Sequence, residues 1–258
     1  MPRTLRIAPK RVRSDDRLDL TEHLGELRHR LIVSALALVI AFAGMYAIHG
    51  QLIEILTWPL PADHQELITL SPTEPFFTTL KVCFWAAILV ALPVWLYQLY
   101  AYVIPAVSDQ PRRVMIAVVT GLAALFCAGV AFGYLVVLPV ALDFLTGFGG
   151  ETFNTQLRAG EYFGFATTML LASGLMFEVP IAMAALARMG VASAGLYRRQ
   201  WRVAVVGMAA IAAVLPGGDP ISMVLLMLPQ FVLYGVGIAL AAEFGQAPLW
   251  RRSDLDAV

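Results

Sequence analysis

Six apolar runs, set apart by charged or proline-rich stretches, constrain what this chain can become. They cover about Leu31 to His49, Thr79 to Ile104, Val114 to Leu142, Tyr162 to Ala187, Val203 to Leu215 and Ile221 to Ala242. Crossing a hydrocarbon layer of about 30 Å takes roughly 20 helical residues. Unpaired backbone groups are too costly in lipid for an open irregular chain. The runs therefore predict an all-α membrane protein with six transmembrane helices. Pro93 lies inside the second run and Pro180 inside the fourth, and Pro180 predicts a kink where a backbone donor is missing. The fifth is short, about 22 Å of helix even when counted from Trp201. Pro216, Gly217, Gly218, Asp219 and Pro220 follow it at once. We expect short fifth and sixth helices joined by a tight hairpin, with local bilayer thinning around them.

Composition agrees. Of the 258 residues, 59% are hydrophobic and 14% charged, against about 25% charged in soluble domains. Mean hydropathy is +0.75. The net charge of zero points to no nucleic-acid partner. Charged residues crowd the first thirty positions and further apolar runs follow the first, so no cleavable leader is expected.

The distribution of Lys and Arg predicts orientation. Sixteen of the eighteen fall before the first run, between the second and third, between the fourth and fifth, or after the sixth. Only Lys81 and Arg158 fall on the other side. Both termini are therefore expected in the cytoplasm. The organisation is a basic tail over residues 1–18, a transmembrane domain over 19–244 and a tail over 245–258.

Residues 19–30 read as an amphipathic interfacial helix, with Leu20, Leu24, Leu27 and Leu31 at helical spacing. Glu22 and Glu26 share one face of it. Such carboxylates can hold guanidinium groups by bidentate hydrogen bonds, or can pair locally with Arg30 or His23. In the first outer loop, Glu74 and Lys81 read as partners. Glu178, in the fourth run just before Pro180, is an ionisable group at membrane depth. It reads as a polar-ligand contact, a proton site, or a protonated acid bonded to a neighbouring helix. Gly129 and Gly133 form a GxxxG helix-packing motif. Cys83 and Cys127 read as buried, inert thiols. No metal-ligand spacing, nucleotide motif or nucleophile–base pair stands out, so no cofactor, metal or enzymatic activity is expected.

An ordered set of motifs resembles one family. It includes His23 to Arg28 (HLGELR), Ser71 to Phe77 (SPTEPFF), Leu92 to Gln98 (LPVWLYQ) and Ala101 to Pro105 (AYVIP). Arg112-Arg113, Phe177 to Pro180 (FEVP), Arg198-Arg199, Asp219-Pro220 and Leu228-Pro229 complete it. Together they resemble TatC, the polytopic subunit of the twin-arginine protein translocase. The resemblance implies a glove-like six-helix bundle with a concave face. It implies a receptor for the Arg-Arg signal peptides of folded cargo, working with single-span TatA- and TatB-like subunits, self-associating, and drawing on the proton-motive force. Carried over by position, it implies signal-peptide contacts at Glu26 and Tyr102, with Glu22, Arg28 and Asp109 near them. It also implies a deep polar site at Glu178, and structural or partner-contact roles for Pro75, Pro105, Asp219 and Pro220. This chain departs from the family pattern at Pro111, Gly217, Gly218, Met223 and Gly235, which leaves a divergent paralogue with altered cargo recognition as one alternative. A secondary transporter of a small solute or proton, coupled through Glu178, is the alternative from another class.

Overall fold

The computed structural model describes residues 15–61, 66–103, 112–148, 156–214 and 219–245. Helix α1 covers Asp15–Ala47 and α2 covers His49–Thr57. Then come α3 (Glu74–Val103), α4 (Arg112–Phe132), a π-helical stretch (Gly133–Val137) and α5 (Leu138–Gly147). They are followed by α6 (Ala159–Phe177), α7 (Val179–Arg188), α8 (Ala194–Arg199), α9 (Trp201–Val214) and α10 (Pro220–Phe244). Among the described residues the only β pairing is an isolated bridge between Ile68 and Arg158, which fastens the outer loop to the start of α6.

Among the described residues, five segments are long and apolar enough to cross a membrane: Gly25–Ala47, Glu74–Leu99, Ile116–Gly147, Ala159–Arg188 and Pro220–Phe244. A shorter apolar helix spans Trp201–Ala213. The expectation of a short sixth helix is corrected, because α10 runs for 25 residues. Asp219 caps its start, its Oδ1 accepting the Ser222 N–H at 2.7 Å, and Pro220 fills the first turn, where no backbone donor is needed. The loop of residues 215–218, with Gly217 and Gly218, lies outside the described residues. So do Pro105, Asp109 and Pro111. Helix α1 passes without a break from the 19–30 segment into the apolar run.

Two interruptions follow from proline. Pro139 has no N–H to return to the Leu135 carbonyl, and the ladder re-registers just before it: Leu138 N–H bonds the carbonyl of Gly133, five residues back. Pro180 likewise separates α6 from α7, and Glu178 is the residue at the break.

The helices pair as α1 on α3, α3 and α4 on α6, and α7 and α9 on α10. A shared core includes Val82, Leu138, Tyr162, Met169 and Leu226. The crossing of α4 and α6 is close because Gly129 lies against the backbone of Ser173 and Gly174. Gly237 does the same for α10 on α7, where an added Cβ would come within 3.2 Å of Pro180 Cα. Many large apolar side chains stay exposed, such as Leu31, Val39, Val206 and Val232, as a lipid-facing surface requires.

Candidate functional site

Contacts between α1 and α3 fix their register. Arg30 Nη1 donates to Gln98 Oε1 at 3.1 Å, Trp95 Nε1 donates to the Ser34 carbonyl at 2.9 Å, and Cys83 Sγ lies 3.7 Å from the Met45 carbonyl. Rising numbers on α1 meet falling numbers on α3, so the pair is antiparallel. One turn beyond Arg30 and Gln98, at the same end, Glu26 stands level with Tyr102. Arg30 Nε donates to Glu26 Oε1 at 3.0 Å, and its Nη2 bonds the same oxygen. The spacing of the sequence left two readings of Glu26, and in this structure it pairs locally with Arg30. Its side chain keeps 44% exposure and no described residue donates to its Oε2. Arg28 is exposed and Tyr102 half-buried. Of Glu22 only the helical backbone is described, one turn before Glu26. Sequence reasoning missed Gln98, the residue that ties this carboxylate–guanidinium pair to α3.

Deeper in the bundle is an apolar concavity of about 480 Å³. Leu56 of α2, Leu89 and Pro93 of α3, Cys127 of α4, Tyr134 of the π stretch and Leu170 of α6 line it. Helix α2 roofs it. The Tyr134 hydroxyl donates to the Ile55 carbonyl at 2.6 Å, which also accepts the Trp58 N–H at 3.3 Å, and the Tyr162 hydroxyl donates to the Leu56 carbonyl, so two side chains bond carbonyls of the last turn of α2. Both cysteines are free; Cys83 is buried, but Cys127 is exposed on this wall, which corrects the expectation of two buried thiols.

At the opposite end from Glu26, the expected Glu74–Lys81 pair is not formed. Glu74 instead accepts from Arg158 Nε at 2.7 Å and Nη2 at 3.2 Å, from the Leu70 N–H at 2.8 Å and from the Gly160 N–H at 3.4 Å. Its hydrogen bonds to the Glu74 carboxylate, with the negative charge there, raise the Arg158 pKa above its ordinary value. The bridge between Ile68 and Arg158 brings the guanidinium to Glu74, and this long-range pairing displaces the local one. Pro75 follows in the first turn of α3, its carbonyl accepting the Thr79 hydroxyl at 2.8 Å.

Glu178 is buried, and neither carboxyl oxygen has a partner among the described residues. It lines neither the apolar concavity nor the polar cavity beside Glu74. Its neighbourhood contains a group the sequence reading passed over. Gln230 of α10 is 1% exposed and donates from Nε2 to the Met176 carbonyl at 3.0 Å. That carbonyl would bond the N–H four residues on, which Pro180 lacks. The available signal was an amide side chain in an otherwise apolar helix. Asp219 and Pro220 have the capping role described above. Met223 is half-buried and Gly235 exposed, with open space where a side chain would begin.

Residues 22–229 match the family model described as Sec-independent protein translocase protein (TatC). The chain belongs to the TatC family. A relative from Desulforapulum autotrophicum, named Sec-independent protein translocase protein TatC, is 34% identical over 237 residues, covering 91% of this chain and 88% of its own length. A chloroplastic relative from Pisum sativum is 34% identical over 221 residues, covering 85% of this chain; the chain spans 63% of that protein. A crystal structure of the twin-arginine translocase receptor TatC superposes with a TM-score of 0.74 at 34% identity, covering 85% of this chain and 97% of that one. Family membership places the chain among membrane-embedded protein-translocase subunits, which are not enzymes.

Proposed function

We propose that the chain is the receptor subunit that binds Arg-Arg signal peptides and organises TatA- and TatB-like single-span partners for export driven by the proton-motive force. The observation that carries this reading is the half-exposed Glu26 carboxylate level with Tyr102, at one end of an antiparallel helix pair. An arriving guanidinium meets the open Oε2 of Glu26 or takes the place of Arg30. Its planar fork suits a carboxylate better than an ammonium does. The apolar part of the signal then has the concavity at Leu89 and Cys127 to enter. Glu22, Arg28 and Asp109 are further signal-peptide contacts in this proposal, and Pro75 and Pro105 have structural or partner-contact roles.

The proposed topology has six crossings with both termini in the cytoplasm of a prokaryotic inner membrane, and residues 19–30 at its interface. Helix α9 supplies the remaining crossing. Its 14 residues give about 21 Å of helix, so the bilayer thins beside it. The side bearing sixteen of the eighteen basic residues supports the orientation.

The test is binding of a twin-arginine signal peptide to the purified chain in nanodiscs, against a twin-lysine control. Preference for arginine is expected. Glu26→Ala is expected to raise Kd by roughly five- to tenfold, the equivalent of about 1 kcal/mol for a partly screened pair. Glu22→Ala is expected to do less. Equal and negligible effects of both variants would remove the role assigned to Glu26. For the deep carboxylate, Glu178→Gln keeps the side chain's shape, so assembly and Tm are expected to hold while export of a twin-arginine precursor falls. Unchanged export would show that Glu178 is structural.

A further inference from the structure

A second cavity, of about 490 Å³, opens between the first turns of α3 and α6, at the end of the bundle away from Glu26. Its charges divide unequally. Glu74 is engaged by Arg158 and two backbone donors. Lys81 lines the cavity and has no ion-pair or hydrogen-bond partner among the described residues. It lies seven residues into the span that starts at Glu74, about 10 Å along the helix. An ammonium at that depth needs a counter-charge or a route to the interface. Its four-carbon stem can lift it into the cavity.

The surroundings suit a phosphodiester. Thr78 is buried beside the Glu74 carboxylate, and no described residue bonds its hydroxyl. Ser71 and Thr73 share one hydrogen bond at 3.0 Å, which leaves the second hydroxyl proton of that pair available. At the rim, Glu161 is 78% exposed and only 3.7 Å from Arg158 Nη1, a loose contact that leaves its carboxylate open to a second cation. The lipid side is apolar and grooved. Phe77, Lys81 and Phe84 follow one exposed face of α3 at helical spacing, while on α6 the space beside Gly164 is open.

We propose that this cavity is a phospholipid site, in which Lys81 and the hydroxyls hold the headgroup phosphodiester and Glu161 holds a headgroup ammonium. The acyl chains run along Phe84 and the open surface at Gly164. Two cations and two carboxylates line the cavity, so a zwitterionic aminoethyl headgroup matches it in sign at both ends, while an anionic glycerol headgroup matches only the Lys81 end.

Native mass spectrometry of the purified protein titrated with phosphatidylethanolamine, phosphatidylglycerol or inorganic phosphate tests this. Wild type is expected to retain one phosphatidylethanolamine in preference to phosphatidylglycerol. Lys81→Gln is expected to weaken that retention by about tenfold, the scale of one charge-assisted contact, and Lys81→Arg to restore it. Glu161→Gln is expected to abolish the preference between the two lipids. Lys81 is exposed and bonds nothing described, so an unchanged Tm in Lys81→Gln shows that the fold is intact. Equal retention by wild type and Lys81→Gln overturns the site. Displacement of the lipid by inorganic phosphate overturns its assignment to a lipid, and equal affinity for the two lipids overturns the headgroup.

Discussion

Gly129→Leu is expected to yield little folded protein, and Gly129→Ala a protein with a clearly lowered Tm in detergent. A Cβ at this position would stand 2.6 Å from the Ser173 carbonyl oxygen, 2.9 Å from Gly174 Cα and 2.9 Å from Phe177 Cβ. Two of these three atoms are backbone of α6, so no rotamer change relieves the clash. The interface is tight from both sides, since a Cβ on Gly174 would strike the Phe126 ring. Overpacking a well-filled interior costs about 1–3 kcal/mol. Here the helices must also separate, and in lipid close packing is itself the main source of association. The α4–α6 contact carries Phe126 and Leu170 into the interior, so opening it also loosens the apolar concavity. Gly164→Ala is the control: nothing lies within 4 Å of its added methyl, and its Tm is expected to match wild type. A wild-type Tm for Gly129→Ala would show that the crossing has slack.

The Gly129–Gly133 motif illustrates what a single sequence reveals. The spacing announces a small-residue face on one helix, but nothing in it says that Ser173 and Gly174 are the surface that face meets. Local periodicity likewise marked the long apolar helices and the break at Pro180, because apolar length and missing donors act within one segment, but it did not mark the short helices α2 and α8. Pairing across the bundle was out of reach. Lys81 looked like the partner of Glu74 because it lies seven residues away. Arg158, 84 residues away, takes the carboxylate because the Ile68 bridge delivers it there. Glu26 was legible as an interfacial carboxylate with Arg30 four residues on as a local partner, but the link onward from Arg30 to Gln98 depends on α1 and α3 being antiparallel neighbours. The π-helical stretch went unforeseen although Pro139 marks its cause. The length of α10 was underestimated because the residues before it read as a hairpin, while its cap and first-turn proline favour a full-length helix. Gln230 escaped because its role is visible only beside the carbonyl that Pro180 leaves open.

Gln230→Leu is expected to destabilise the protein by about 1 kcal/mol, and most of that cost is expected to vanish in a Pro180→Ala background. The Met176 carbonyl faces the bundle interior, at a position where the helix ladder would supply the N–H of residue 180. Proline has none, and the Gln230 amide fills the place at 3.0 Å. Leucine has similar volume but no donor, so the buried carbonyl loses its side-chain partner and keeps only the Glu178 N–H at the helix end. Interhelical hydrogen bonds in membrane proteins are worth about 0.6 kcal/mol on average, and leaving a buried acceptor under-bonded adds to that. Alanine at 180 restores an N–H within reach of Met176, making the Gln230 amide redundant. The coupling energy of the cycle, read from Tm or denaturant unfolding of the four proteins, should therefore be close to the whole cost of Gln230→Leu. Additive effects would mean that Gln230 acts through packing alone. The same cycle bears on Glu178, which sits between Met176 and Pro180 in the broken segment. If Gln230 holds the break open against α10, Gln230→Leu should lower export alongside Glu178→Gln. The double variant Glu178→Gln/Gln230→Leu should then be little worse than either single one, because both residues serve one local geometry.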